Sequence, residues 1–365
     1  MQPLRFHWSM SSAGDKLRRA RARTALSGVP DLEALVRFCK HAEECGFESL
    51  LTAFSFARPD PLTLASALGM LTTKIKFMVA VRSGTISPTL FVQQVNTVAS
   101  LTGGRICVNV VAGHTPDELH YYGDFLEHDQ RYARTDEFLS ICNAFWKQEG
   151  DVDFDGQHYR VERGKLNVPF VAPDRTRPEI FIGGNSGLAE DLAIRHCDCL
   201  WRMPEPVEAM QASADRILRA GKEIGILTSI IARRTNEEAV AAAHALIAEI
   251  GAEARTNHQQ IEQKLDSVAF RAMYAMARDT AEWPAPYLWT GAVPYLGAPS
   301  IALVGSFDEI SETLLAYKSV GVSQFLFLGW PDLEEMTLFH EEVLPRVRAL
   351  EAEPEATYDP EEATA

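Results

Sequence analysis

From end to end the chain alternates short apolar runs with longer stretches in which apolar and polar positions recur at helical spacing. The short runs cover residues 5–10, 49–52, 75–81, 105–111, 179–182, 199–201, 224–232 and 324–328. Nearly continuous apolar character over so few residues predicts strands buried on both faces, as in a parallel sheet. The longer stretches predict helices. After Asp31 the apolar positions Leu32, Leu35, Val36, Phe38 and Cys39 share one helical face, and Asp31 is a suitable N-cap for a helix running to Cys45. Further helices are predicted over about 60–71, 89–101, 131–147, 186–196, 206–220, 236–250 and 333–350. The segment DVDFDGQHYRV alternates around Asp155-Gly156 and reads as a β-hairpin.

Eight strand–helix units with apolar strands predict an α/β fold of the TIM (β/α)8 barrel type, with insertions. The rival is a doubly wound dinucleotide-binding sheet. It needs a glycine-rich turn after the first strand, and SSAGDKLRRA does not supply GxGxxG. One segment breaks the alternation. Residues 251–299 are inserted after strand seven, on the face where barrels carry their chemistry. They include Arg255, Lys264, Arg271 and Arg278 and are expected to form a mobile active-site lid. Residues 1–350 are read as a single domain, and 351–365, EAEPEATYDPEEATA, as a disordered acidic tail.

Composition narrows the function. With 365 residues, 46% of them hydrophobic, the chain can bury a full core. A net charge of −15 argues against a nucleic-acid partner. No uncharged apolar run is long enough to span a membrane, and the N-terminus lacks a secretion signal's apolar core. Six cysteines in no disulfide spacing fit a reducing cytoplasm. His196-Cys197-Asp198-Cys199 is not a usual zinc spacing, so Cys197 and Cys199 are expected to be buried structural thiols.

Candidate chemistry concentrates just past strand ends. The strand near 105–111 carries Asn109 and stops at Ala112-Gly113; a polar loop then leads to His128-Asp129-Gln130-Arg131-Tyr132. His128 and Tyr132 are four apart and would share a face near a helix N-terminus. Phe181-Ile182-Gly183-Gly184-Asn185-Ser186-Gly187 follows another strand and opens a helix. That layout suits a phosphate, held by amides and the Ser186 hydroxyl, and also suits an ordinary glycine turn with a serine cap. There is no metal signature, no Gly-x-Ser-x-Gly elbow and no P-loop, which points to an organic cofactor.

The ordered set GRICVNVVAG, HDQRYARTDEF, FIGGNSGLAEDLA, RRTNEEA, LWTG, ALVGS and GWPDLEE resembles the alkanesulfonate monooxygenase branch of the bacterial-luciferase-like flavin-dependent monooxygenases, over Phe6 to about Pro345. The resemblance implies a two-component enzyme. Such enzymes take reduced FMN (FMNH2) from a separate NAD(P)H:flavin reductase, react it with O2 to a flavin peroxide or hydroperoxide, and oxygenate a small organic substrate. It also implies a homodimer or homotetramer. The flavin contacts it implies are Ala53 and Phe54 beside the ring, Asn109, His128 and Tyr132 along the ring and side chain, and Gly183, Gly184 and Ser186 around the phosphate. Ser229, Trp330 and Asn109 are implied nearest the reacting atoms.

The departures from that pattern concern the substrate. An Arg and a His of the sulfonate enzymes' strand seven become Leu227 and Ser229, and an Arg-Gly-Gly becomes Tyr295-Leu296-Gly297. A Tyr becomes Trp330, and a loop Cys falls near Ala57–Arg58. A sulfonate needs compensating cations. Their loss implies a larger or less charged substrate bounded by Trp8, Phe54, Trp201, Trp289 and Trp330, although Arg58, Arg82 and Arg202 near strand ends could supply charge from elsewhere. Alternatives are an alkanesulfonate monooxygenase proper, a deazaflavin-dependent oxidoreductase, and a flavin-binding barrel without catalysis.

Overall fold

The computed structural model describes residues 2–10, 29–113, 115–250, 254–255, 259, 262–279 and 281–352. The SSAGDKLRRA segment, most of the acidic tail and parts of the insertion lie outside the described residues.

Among the described residues twelve strands follow in chain order: β1 (Arg5–Ser9), β2 (Ser49–Thr52), β3 (Lys76–Val81), β4 (Ile106–Val110), β5 (Val152–Asp155), β6 (Arg160–Gly164), β7 (Ile180–Gly183), β8 (Cys199–Arg202), β9 (Glu223–Arg233), β10 (Leu288–Trp289), β11 (Ala302–Ser306) and β12 (Val322–Leu328). The expected hairpin is β5–β6. The eight expected barrel strands pair in parallel in the order β12-β1-β2-β3-β4-β7-β8-β9. The sheet closes because β9 pairs on one edge with β8 (Leu200↔Ile224) and on the other with β12 (Phe325↔Ile226). The fold is therefore the eight-stranded TIM barrel, with helices outside.

Strand alternation sorts the side chains. Leu51, Met78, Ala80, Cys107, Phe181, Cys199, Trp201 and Leu326 form a cluster of their own inside the barrel. Their neighbours Leu50, Phe77, Val79, Val108, Ile182 and Leu200 join the larger core between strands and helices. At Gly225 a β-carbon would meet the Trp201 ring at 2.2 Å, so the bare backbone is what lets that indole lie across the interior. Deeper in the barrel, the His7 ring contacts Ser49 Oγ through Nδ1 and Gln324 Oε1 through Nε2, both at 2.8 Å, linking β1 to β2 and β12. At the N-terminal rim Arg5 makes bidentate bonds to Glu48 and Glu179.

Asp31 caps its helix as expected, its Oδ1 accepting from Ala34 N; Asp60 does the same for the next helix, its Oδ1 accepting from Thr63 N. All six cysteines are buried thiols. Among the described residues no helix is long and apolar enough to cross a membrane.

Three elements differ from the sequence reading. The helix predicted from 131 begins at His128, because the Gln130 side chain turns back to accept from Glu127 N at 3.1 Å and fixes the start one turn earlier. A short helix, Pro116–Tyr121, lies in the loop before it. Between the insertion and β12 the chain adds a further unit, β11 and the helix Phe307–Ser319. Its signal was present in Ser306-x-x-Glu309: the Ser306 hydroxyl accepts from Glu309 N, and the Glu309 carboxylate from Ser306 N. β11 pairs with the second half of β9, from Ala302↔Ser229 to Ser306↔Arg233, outside the closed ring.

Candidate functional site at the C-terminal mouth of the barrel

One cavity opens at the C-terminal ends of the strands. Ala53 and Phe54 after β2, Arg82 after β3, Asn109 on β4, Gly183 to Ser186 after β7, Trp201 on β8 and Leu227 on β9 form its wall, with His128 and Tyr132 from the following helix. Every residue expected to contact the cofactor is therefore in one place. Ser267, Val268, Ala269 and Phe270 of the insertion also line it. The sequence reading did not single out Leu51, Ala80, Asn185, Val111, Met203, Leu326 or these four. Val111 and Met203 carried a signal, standing immediately after a strand end, and Asn185 stands two residues past one.

The β7 turn is built for close approach. Ser186 caps the helix Gly187–His196, its Oγ accepting from Ala189 N at 3.2 Å. The first N–H groups of that helix have no partner within it and carry the positive end of its dipole. At Gly184 a β-carbon would stand 2.7 Å from the Ala189 β-carbon and 3.5 Å from the Tyr132 hydroxyl, so glycine keeps the turn open. Burial raises the Tyr132 phenol above its usual value, so it keeps its proton beside Ser186. The His128 ring lies 4.9 Å from Tyr132, and its Nδ1 contacts Asp129 Oδ1 at 2.8 Å, leaving Nε2 out of that contact.

Several buried polar atoms in this wall have no hydrogen-bond partner among the described residues: Asn109 Oδ1, Asn185 Oδ1, Trp201 Nε1, and Nε and Nη1 of Arg82. Orphaned buried groups are rare in folded proteins, and here they share one cavity, which marks a place where a ligand supplies the missing partners. The rest of the wall is apolar and aromatic. Trp201 stacks on Phe181 with ring centres 5.2 Å apart.

Other expected residues are placed elsewhere. Ser229 does not line the cavity. Its hydroxyl donates to the Pro299 carbonyl at 3.1 Å and its N–H to Ile301, because the β8 edge of β9 ends at Ile226 and the segment leading into β11 takes that edge over at Ser229, while Leu328 of β12 still pairs on the other. Trp330 packs in a separate cluster with Ile231, Trp289 and Val304. Trp8 and Trp289 are fully buried, donating to Asp332 and Glu282. Arg202, by contrast, is buried and lines the cavity: its Nη2 donates to Glu190 and the Ser213 carbonyl, while its Nε has no partner among the described residues. Arg58 lines a neighbouring cleft behind Phe54. The insertion's cations turn to protein partners: Lys264 to Asp117, Arg278 to Glu262, Arg271 to the Asp266 carbonyl, and Arg255 over the Tyr295 ring.

Comparison with solved structures agrees with the barrel. The chain is similar to DmoA from Hyphomicrobium sulfonivorans, at 18% identity and a TM-score of 0.75, over 98% of this chain and 91% of that one. It is similar to the oxygenating constituent of 3,6-diketocamphane monooxygenase from the CAM plasmid of Pseudomonas putida in complex with FMN, at 17% identity and 0.68, over 94% and 98%. It is also similar to an F420-dependent secondary alcohol dehydrogenase, at 15% identity and 0.65, over 95% and 100%. At these identities the likeness is one of fold. The sequence itself matches the model of the luciferase-like monooxygenases over residues 4–324, a span that takes in every strand of the barrel up to the start of β12 and every wall of the cavity but Leu326. By that match the chain belongs to the luciferase-like monooxygenase family.

Proposed function

We propose that this chain is the oxygenase component of a two-component monooxygenase that uses reduced FMN and O2, with a small organic substrate other than a simple alkanesulfonate. The observation that carries the reading is the single cavity in which a phosphate cradle and the orphaned side-chain atoms meet. The residues present fit FMN. The Gly184–Ser186 turn and the helix behind it would hold the phosphate, with the Tyr132 hydroxyl and the His128 ring as further donors. Asn109 would meet a polar edge of the ring, while Ala53, Phe54 and Leu227 give it apolar contact. Reduced FMN supplies the electrons that activate O2. The protein's part is to bind, orient and exclude water, and residues 267–270 lie where they can do the last.

The alkanesulfonate branch remains the nearest pattern, on the motifs quoted above. Leu227 in the wall argues against its simplest substrates, because an apolar side chain stands where a sulfonate would want a cation. A separate NAD(P)H:flavin reductase is the partner this reading requires. A homodimer or homotetramer, a cytoplasmic location, and an insertion that moves as a lid belong to the same reading.

The test is anaerobic titration of the protein with reduced FMN, followed by an O2 pulse. Binding with a Kd at or below about 1 μM (about −8 kcal/mol) and a delayed return of oxidised-flavin absorbance are expected. No binding of reduced FMN, with binding of the deazaflavin F420 instead, would move the protein to the reductase side of the fold.

A further inference from the structure

Of the six tryptophans, all of them described, Trp201 is the one that lines the cavity. Its indole is packed on a face and on an edge. The face stacks on Phe181, with ring centres 5.2 Å apart and planes 14° apart. The edge is the benzo side, Cε3 and Cζ3, which lies against Gly225 of β9 where a β-carbon would stand 2.2–2.3 Å away. His7 meets the ring edge-to-face at 5.7 Å. In an indole the N–H lies across the two rings from the Cε3–Cζ3 edge, so Nε1 is turned away from β9. Packed in this way, the ring cannot swing its N–H to another partner. Nε1 is buried and has no hydrogen-bond partner among the described residues. A buried N–H without an acceptor is costly, and in a cavity wall a ligand can supply the acceptor.

The surroundings say what kind of acceptor that is. Leu51, Ala80 and Leu326 belong with Trp201 to the cluster inside the barrel, and all four line the cavity, so they form its floor. The floor carries no charged side chain. The guanidinium groups of the wall each face a carboxylate, Arg82 with Glu118 at 3.2 Å and Arg202 with Glu190 at 2.5 Å. An anion on the floor would therefore be buried without a counter-charge, whereas an uncharged oxygen needs only the one donor that is there. Ala53 and Phe54, the apolar contacts of the flavin ring, stand beyond the end of β2, while Leu51 stands within it. The floor lies below them and is left to the substrate.

We propose that Trp201 is a substrate-specificity residue of this site, its indole N–H donating to an uncharged oxygen of the carbonyl type on an apolar substrate. The inference rests on the FMN reading above. Phe181 and Gly225 act through it, as positioning residues that fix the direction of the donor.

The probes are acetophenone and ethylbenzene, which are close in shape and differ by the oxygen. Each is titrated into the protein loaded anaerobically with reduced FMN. Trp201→Phe keeps an aromatic ring against Phe181 and removes the N–H. From wild type to Trp201→Phe the ratio of acetophenone affinity to ethylbenzene affinity is expected to fall about tenfold or more, because the carbonyl is then buried without a donor. The Kd for reduced FMN should stay within about twofold, since the N–H is assigned to the substrate. A second readout needs no variant. In wild type carrying isotope-labelled tryptophan, one indole N–H resonance should move downfield with acetophenone and not with ethylbenzene, and it belongs to Trp201, the tryptophan of the wall. An unchanged affinity ratio, binding of neither probe, or indole resonances that ignore acetophenone overturn the proposal. So does a loss of about tenfold in FMN affinity in Trp201→Phe, which would give the N–H to the cofactor. If the wild type binds no reduced FMN at all, the function reading itself fails, and this inference with it.

Discussion

Ser186 does two jobs with one oxygen, and they can be separated. Its hydroxyl caps the helix Gly187–His196 and also faces the cavity. Ser186→Asp keeps a good cap but puts a carboxylate where the phosphate would sit. Ser186→Asp is therefore expected to hold thermal stability near wild type while FMN affinity falls by tenfold or more. Ser186→Ala should lose about 1 kcal/mol of stability and bind FMN more weakly. Parallel melting curves and flavin titrations check both, and FMN binding unchanged in Ser186→Asp would remove the phosphate from this turn. At this scale the sequence was readable wherever a residue type and a strand end coincided. Asn109, Gly184 and Ser186 follow that rule, and so does Tyr132 through its helical spacing from His128. Ser229 broke the rule because β9 outruns its pairing with β8, and only pairing with the distant Ala302 turns its end into packed interior. Nothing within ten residues of Ser229 encodes that.

The insertion is tied down by its neighbours. Arg131, on the helix that also carries His128 and Tyr132, is nearly fully buried and donates to the Ala112 and Leu126 carbonyls and to Asp266 Oδ2 at 2.5 Å. Asp266 directly precedes the residues that line the cavity. Cutting this pair leaves the Arg131 charge buried with carbonyls alone, a loss of about 1–3 kcal/mol. In Asp266→Asn the amides of the helix Val268–Asp279 should exchange about tenfold faster, a change worth 1.4 kcal/mol. In the FMN-loaded variant, reduced flavin should also oxidise faster in air without substrate. Unchanged exchange in that helix would mean the pair is not what holds the segment closed. From sequence, the place of the insertion and its overlap with the catalytic face were legible by length alone. Its charges were not, because whether Lys264 meets a ligand or a carboxylate depends on a partner as remote as Asp117.

Closure of the whole barrel passes through His7. It is fully buried between Ser49 and Gln324, and burial pushes its imidazole down to about 4 from 6.5. The folded protein thus holds His7 neutral, while the unfolded chain takes up a proton below pH 6.5. This contribution is complete above 6.5 and is lost as pH falls toward 4, by up to about 3 kcal/mol. Urea midpoints of the wild type should fall over that window more steeply than those of His7→Gln, whose amide keeps a hydrogen-bonding group between the same partners. Parallel slopes would mean that His7 titrates normally. The eight strands were the most legible feature of the chain, since burial on both faces writes itself as unbroken apolar runs. The ninth parallel strand, β11, carries the same apolar run in Ala302–Val304, but a ring of eight leaves it no place, and its seat on β9 is set by pairing that the run does not encode.

The ring has a seam, and the seam has a schedule. His7 meets Gln324 across 317 residues, so β1 leaves the ribosome long before β12. At about 5–20 residues per second, one edge of β1 waits roughly 15–60 s for its mate. Through that interval Phe6 lacks the rings of Phe325, Phe327 and Phe339, and Trp8 that of Phe327, on which they pack in the finished core. Nascent chains stalled before residue 322 are therefore the form of this protein that a chaperone would meet, open along the edge of β1 that β12 later takes.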